Sequence, residues 1–236
     1  MCILSFPGPK VDEKLNIGLV INGISERPQL EEARKFAKNL VDEFEVSNDS
    51  ARFSLLFQGY ESTLEVSFQD NDNAEELKQA IDRMGQLKYV GNVDEALQSA
   101  ADRMFSKENV GDRSSLPQML VFLTSDKTQS DTKGLDEALE GLTGKGVKTC
   151  VVVVGNGLQD EVRKIAPKTE DVFRVDGLDK LSKTIDPLVD RLVNNGKGTN
   201  FFISYTVHQV YYRETYFSCS PLQDKTSQAR LSLLFS

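Results

Sequence analysis

The chain has 236 residues, enough for one domain of ordinary size with an extension and for a substantial buried core. Its 36 acidic and 28 basic side chains leave a net charge of −8, interspersed rather than in blocks, which opposes the phosphate attraction behind nucleic-acid binding and excludes DNA and RNA as expected partners. No segment reaches the ~20 consecutive apolar residues of a membrane span, and residues 1–9 lack the basic start and the length of a secretory signal, so an extracellular form is expected to need a longer sequence.

Residues 15–21 (LNIGLVI) are a short apolar run bounded by turn residues, the pattern of a strand. Behind Pro28, which suits a first helical turn, Leu30, Ala33, Phe36, Ala37, Leu40, Val41 and Phe44 recur at helical spacing. Residues 52–57 (RFSLLF) and 63–68 (TLEVSF) flank a short link with Gly59 and predict a hairpin, the second half alternating as a half-exposed edge strand does. Asn73 is placed to cap a helix carrying Leu77, Ala80, Ile81 and Met84, and Asn92 to cap one carrying Val93, Ala96, Leu97, Ala100 and Met104. Residues 119–124 (MLVFLT) and 147–154 (VKTCVVVV) are continuous apolar runs, as in strands covered on both faces; between them Leu135, Ala138, Leu139 and Leu142 predict a helix that stops near Gly144. A short helix around Val162, Ile165 and Ala166 follows, then a strand over 172–175. One amphipathic helix carrying Leu178, Leu181, Ile185, Leu188, Val189 and Leu192 ends the series.

This alternation predicts an α/β, Rossmann-like fold: a mainly parallel sheet with helices on both faces. Ligands of such sheets bind beyond the carboxyl ends of the strands, here in the loops after Ile21, Tyr89 and Leu123. Residues 1–13 read as a flank, 14–195 as the domain and 196–236 as an extension rich in aromatic residues (Phe201, Phe202, Tyr205, Tyr211, Tyr212, Tyr216, Phe217), either an added strand or hairpin or the start of another module.

Enzyme chemistry has little to build on. The sole histidine, His208, lies beyond the periodic region, so a nucleophile would lack a neighbouring base. Gly155-Asn156-Gly157 follows a strand but matches neither GxGxxG nor GxxxxGK[ST], and the acidic stretch 69–76 lacks the spacing of a calcium loop. Cys150, inside an apolar strand, is expected to be an inert core thiol. Cys2 and Cys219 flank the domain and either pair, which an oxidising compartment would favour, or stand as two free thiols. Asn48-Asp49-Ser50 is an N-glycosylation sequon in an expected loop, relevant if the protein is secreted.

From about residue 15 to 192 the chain resembles a von Willebrand factor A domain of the matrilin and collagen VI type. The resemblance is carried by LVINGIS (19–25), VDEFEVSNDSARFSLLFQGY (41–60), YVGNVDEAL (89–97), SSLPQMLVFLTSDKTQSD (114–131), GVKTCVVVVG (146–155) and DVFRVDGLDKL (171–181), by their order and spacing rather than by any one phrase. It implies a six-stranded sheet with one short antiparallel edge strand and a role in adhesion or matrix assembly. It also implies a metal-ion-dependent adhesion site whose hard oxygen ligands converge from three loops, as Mg²⁺ requires. Aligned to the family's DxSxS, residues 21–25 put Ile21 at the aspartate and Gly23 at the first serine, so only Ser25 survives; Gly91 falls at the threonine, and Ser125 at the aspartate of TDG. Asp126 is the one carboxylate that a one-residue slip of its loop could bring to the site. Without that slip Ser25 is expected to cap the first helix, and Asp126 to be an ordinary loop acid. The reading is therefore a degenerate site without cofactor, a Mg²⁺ or Ca²⁺ site being left only through Asp126.

The resemblance implies a non-enzymatic, metal-independent protein-interaction module of a secreted matrix or adhesion protein, with collagens or other A-type domains as partners. Asn22, Glu26, Arg27, Asn92, Asp126 and Lys127 are the binding-loop candidates. Two alternatives stay open: an acidic matrix component holding divalent cations or mineral diffusely, and an intracellular A-type domain in an assembly complex.

Overall fold

The computed structural model of the chain describes residues 10–24, 27–58, 62–70, 73–85, 91–125, 128 and 130–197. Six strands form one sheet: β1 (Asn16–Asn22), β2 (Arg52–Gln58), β3 (Ser62–Val66), β4 (Gln118–Ser125), β5 (Val147–Val154) and β6 (Val172–Val175). Their order is β3-β2-β1-β4-β5-β6, and every neighbouring pair is parallel except β2 with β3. The chain runs outward from β1 to β3 and returns to β4 on the other side of β1. The order therefore reverses between β1 and β4, where α/β sheets open their ligand crevice.

The continuous apolar runs explain the middle of the sheet. Every residue of β1 and β4 is buried, whereas β3, at one edge, alternates exposed with half-buried positions over its first four residues. In-register rows cross the strands: Leu55, Leu19, Val121 and Cys150 form one, and Leu56, Val20, Phe122 and Val151 the next, which points to the opposite face. Seven α-helices lie among the described residues: α1 (Arg27–Asp42), α2 (Ala74–Arg83), α3 (Val93–Ser99), α4 (Lys107–Val110), α5 (Thr132–Gly144), α6 (Gln159–Ile165) and α7 (Ile185–Lys197). The row of Val20 packs with Val93, Ala96 and Leu97 of α3, Leu135 and Ala138 of α5, and Val162 of α6. Helix α1 contacts both α2 and α7, and α7 reaches Cys150 in the row of Leu19.

Several expectations need correction. Asn92 stands at the amino end of α3 but makes no capping bond; its amide donates to Glu95 Oε1 at 3.1 Å instead. Asn73, by contrast, does cap, its Oδ1 accepting from the Glu76 N–H at 2.9 Å. The helix expected to run on to Met104 leaves α-geometry at Ala100, where a π-turn over Ala100–Met104 swings Met104 and Phe105 onto Gly18. A short α4 and a 3₁₀ segment, Gly111–Ser115, then fill the way to β4. The final amphipathic segment is two elements: a 3₁₀ helix, Leu178–Thr184, matching the three-residue step from Leu178 to Leu181, and α7, which carries Pro187 in its first turn where no N–H is needed. The second hairpin strand ends at Val66, and Ser67 to Asp70 close a turn in which Asp70 Oδ2 accepts from the Ser67 N–H at 2.9 Å.

At the amino ends of the strands, the base of the sheet, Arg113 ties three segments together. Its Nε donates to Asn16 Oδ1 at 2.8 Å, and its terminal nitrogens donate to the carbonyls of Asn48 (2.7 Å), Ser50 (2.5 Å) and Leu15 (3.2 Å). Burial and the neighbouring Arg52 lower its pKa from the usual guanidinium value.

Candidate functional site

The carboxyl ends of β1 and β4 lie side by side at the reversal point and form a crest. Ile21, the residue aligned with the family's aspartate, is fully buried between Phe57 and Leu123 and serves the core. The polar group at the end of β1 is that of Asn22. Its Nδ2 lies 3.5 Å from Thr124 Oγ1, while its Oδ1 is buried without a hydrogen-bond partner. Asn22 is 0% exposed, so it corrects the expectation of a contact residue: in this conformation no partner can reach it.

A chain of neutral hydrogen bonds closes the crest. Thr128 Oγ1 donates to the Ser125 carbonyl at 2.9 Å, which leaves it to accept from Thr124 Oγ1 at 3.3 Å; Ser125 Oγ donates to the Gly23 carbonyl at 2.8 Å. Gly23 has φ +73°, a conformation that favours glycine, and a Cβ there would overlap the Thr128 methyl and stand 3.0 Å from Ser125 Oγ. The space where a serine would project at Gly23 is thus filled by Thr128. Thr128 is 6% exposed; sequence reasoning passed over it because nothing in the periodicity distinguishes it from other loop residues.

The remaining candidates distribute unevenly. Gly91 is buried, Asn92 half-buried and Arg27 exposed. Asp94, in the first turn of α3, accepts from the Asp131 N–H at 3.0 Å, and Asp131 in turn caps α5 through Gly134 N at 2.9 Å, so two crest loops are braced against each other. Ser25, Glu26, Asp126, Lys127, Cys2, Cys219, His208 and the aromatic residues of 196–236 lie outside the described residues. Asn48 is exposed in a turn at the base. The carbonyls of Gly155 and Gly157 both accept from Arg174 Nη1, at 2.9 and 3.1 Å; that loop presents acceptors, the wrong polarity for a phosphate.

One polar cluster was not foreseen. Asp171 Oδ1 accepts from Arg191 Nε at 2.5 Å and from Asn195 Nδ2 at 3.0 Å, with Cys150 Sγ at 4.0 Å. The four-residue step from Arg191 to Asn195 puts both on one face of α7, a signal the sequence did carry, but their partner is 20 residues away from Arg191. Burial, followed by the Asp171 charge, pushes the Cys150 thiol up to about 12, so it stays protonated and unreactive near neutrality.

The von Willebrand factor type A model matches residues 21–187, more than half of the chain. The chain belongs to that family. Among its relatives, the collagen alpha-5(VI) chain of Mus musculus is 34% identical over 96 residues, which cover 41% of this chain and 4% of that one. Matrilin-1 of Gallus gallus is 28% identical over 163 residues, 67% of this chain and 32% of that one. The chain thus spans less than a third of either relative's length. Of solved structures, proximal thread matrix protein 1 from the mussel byssus, with a zinc-occupied MIDAS motif, superposes with a TM-score of 0.70 over 78% of this chain and 49% of that one; at 17% identity the likeness concerns the fold.

The family's adhesion site lies at this crest, and the donor set can be tested against it. A hard dication takes oxygen ligands with enough negative charge among them to replace its hydration shell. The described oxygens around Gly23 at the ends of β1 and β4 are the amide of Asn22, the hydroxyls of Thr124, Ser125 and Thr128 and backbone carbonyls, all neutral, while the crest-loop carboxylates Asp94 and Asp131 are engaged by backbone N–H groups. Among the described residues no three His, Cys, Asp or Glu side chains gather in a way that could hold a metal. Among the described crest side chains Asn22 Oδ1 and Ser130 Oγ are buried without a partner, and two neutral oxygens do not fit a dication.

Proposed function

We propose that this chain is a non-enzymatic protein-interaction module of a secreted extracellular-matrix protein, recognising partner proteins through its crest loops without a bound dication. The observation that carries it is the crest itself: the Thr128 methyl fills the space at Gly23, and the polar groups of β1 and β4 bond to each other. Collagens and other A-type domains are the partner class, a reading supported by a collagen chain and a matrilin among the relatives. Residues 14–195 form the module, 1–13 its flank and 196–236 an appended segment. Arg27 and Asn92, exposed and half-exposed beside the crest, are the described positions open to contact. The absence of catalysis rests on a thiol held near 12 in the core and on a chain whose one histidine lies outside the module.

Calorimetric titration of the folded chain with millimolar Mg²⁺ or Mn²⁺ is expected to give no one-site isotherm, and saturable binding to collagen to be unchanged by EDTA. A one-site isotherm abolished by Asp126→Ala overturns the metal-independent reading. An open groove of about 470 Å³ beside the crest favours a second reading, because Asp94, Glu95, Asp102 and Glu137 outweigh the single cation, Arg103, in its lining: cations held diffusely by charge. Non-saturating, salt-sensitive calcium uptake without collagen binding would select it.

A further inference from the structure

We propose that Asn48 carries an N-linked oligosaccharide, attached before the domain folds and directed away from the crest. Asn48-Asp49-Ser50 is the one Asn-x-Ser/Thr triplet without an intervening proline in the 236 residues. The structure places it in a tight turn: the Ser50 N–H bonds the Ser47 carbonyl at 3.4 Å and the Asp49 N–H bonds Ser47 Oγ at 3.2 Å. Asn48 is exposed, its backbone carbonyl is held by Arg113 at 2.7 Å, and its side-chain amide bonds to no described residue. A bulky polar group there meets solvent and displaces nothing from the core.

Ser50 fixes the order of events. It is 2% exposed, and its hydroxyl is buried without a hydrogen-bond partner. The transferase must read that hydroxyl, so the folded domain hides half of the acceptor signal while displaying the other half. Transfer therefore precedes closure of the 47–51 turn onto the base. In the step, Asn48 Nδ2 attacks the anomeric carbon of a lipid diphosphate-linked oligosaccharide; the new C–N bond replaces the C–O bond to phosphate, the lipid diphosphate leaves, and the amide loses one proton.

Position gives the modification its consequence. The turn lies just ahead of β2, whose seven residues rise roughly 20 Å to the crest end of the sheet. The sugar would shield the base around Lys14, Asp49 and Arg113 and leave the crest loops free for a partner.

This inference rests on the secreted reading, and the experiment separates the two. The full chain is expressed behind a cleavable signal peptide in cultured mammalian cells, then compared before and after digestion with a glycan-releasing amidase. The expected result is one mass shift, lost in Asn48→Gln and in Ser50→Ala and kept in Ser50→Thr. Because Ser50 Oγ has no partner, Ser50→Ala breaks no hydrogen bond of the fold. An unshifted wild type, or a shift that survives Asn48→Gln, overturns the site. Unglycosylated chain made in bacteria is expected to accept the sugar in vitro only after denaturation; equal modification of the folded form overturns the proposed order. Since the signal peptide is supplied, failure here sinks the acceptor site alone. The extracellular reading fails separately, if the natural protein is retained inside cells.

Discussion

Two glycines show how differently one residue type can be constrained. A Cβ on Gly18 would overlap Met104 Sδ and approach Phe105 Cζ to 2.8 Å, because the π-turn presses those side chains onto β1. Gly18→Ala is expected to destabilise the domain by about 1–3 kcal/mol through overpacking, measured by urea unfolding. Gly144, on α5, has nothing within 4 Å of an added Cβ. There, at the last residue of the helix, an alanine should be tolerated and add at most about 0.5 kcal/mol by helix propensity, read in the same assay. The sequence showed a glycine in both places; it did not show which was pressed against a neighbour. The same limit applies at the crest. The missing ligands at Ile21 and Gly23 were legible as residue types, whereas the burial of Asn22 and the filling of the space at Gly23 by Thr128 depend on a loop geometry that no spacing encodes.

At the scale of elements, the strands were legible because β1, β4 and β5 are apolar without interruption, and α1 because its buried residues keep a 3.6-residue rhythm. The π-turn and the 3₁₀ entry to α7 were not, since both keep apolar residues at steps compatible with an α-helix and are decided by packing against Gly18 and α1. Helix α7 is held to the sheet by the Asp171–Arg191–Asn195 cluster, with Arg191 Nη2 also 3.5 Å from Glu170. Arg191→Ala leaves a carboxylate in a site where its side chain is 11% exposed. The expected loss is about 2–3 kcal/mol, below the value for a fully buried pair because Arg191 partly meets water. Thiol labelling mapped to Cys150 should quicken in that variant, as α7 loosens over it.

Glu43, at the end of α1, has its pKa raised by burial and then by the charges of Asp186 and Asp42. The folded state therefore holds that proton more tightly than the unfolded state does, and the favourable contribution is lost as pH rises through the folded value. Glu43→Gln is expected to raise the thermal midpoint at pH 7 and to leave it unchanged well below the ordinary carboxylate range. A variant that melts lower at neutral pH would contradict this.

For the whole molecule, the topology concentrates stability in the middle of the sheet. β1 and β4 are paired on both sides and wholly buried, while β3 and β6 each have one neighbour and only five and four residues. Native-state hydrogen exchange should show the slowest amides in β1 and β4 and the fastest strand amides in β3 and β6. Equal protection across all six strands would refute that gradient. The sequence implied parallel strands under helices from alternation alone. The loops after Ile21, Tyr89 and Leu123 followed from that fold class, but the reversal between β1 and β4, which decides where a crevice can open, is visible only in the structure, because pairing order leaves no trace in periodicity.

The chain enters and leaves this domain at the same pole. Val11 bonds the Glu43 carbonyl at 2.7 Å just before β1, and Lys148, at the start of β5, donates to the carbonyl of Asn195 in the last turn of α7 at 2.5 Å. Were the domain pulled by the segments that enter and leave it, tension would pass across this pole without stretching the domain lengthwise. Helix α7, fixed by side chains and one ion-pair cluster, would peel before β1, which is hydrogen-bonded on both flanks. The opposite end would stay mechanically slack, keeping its shape while the tether is pulled.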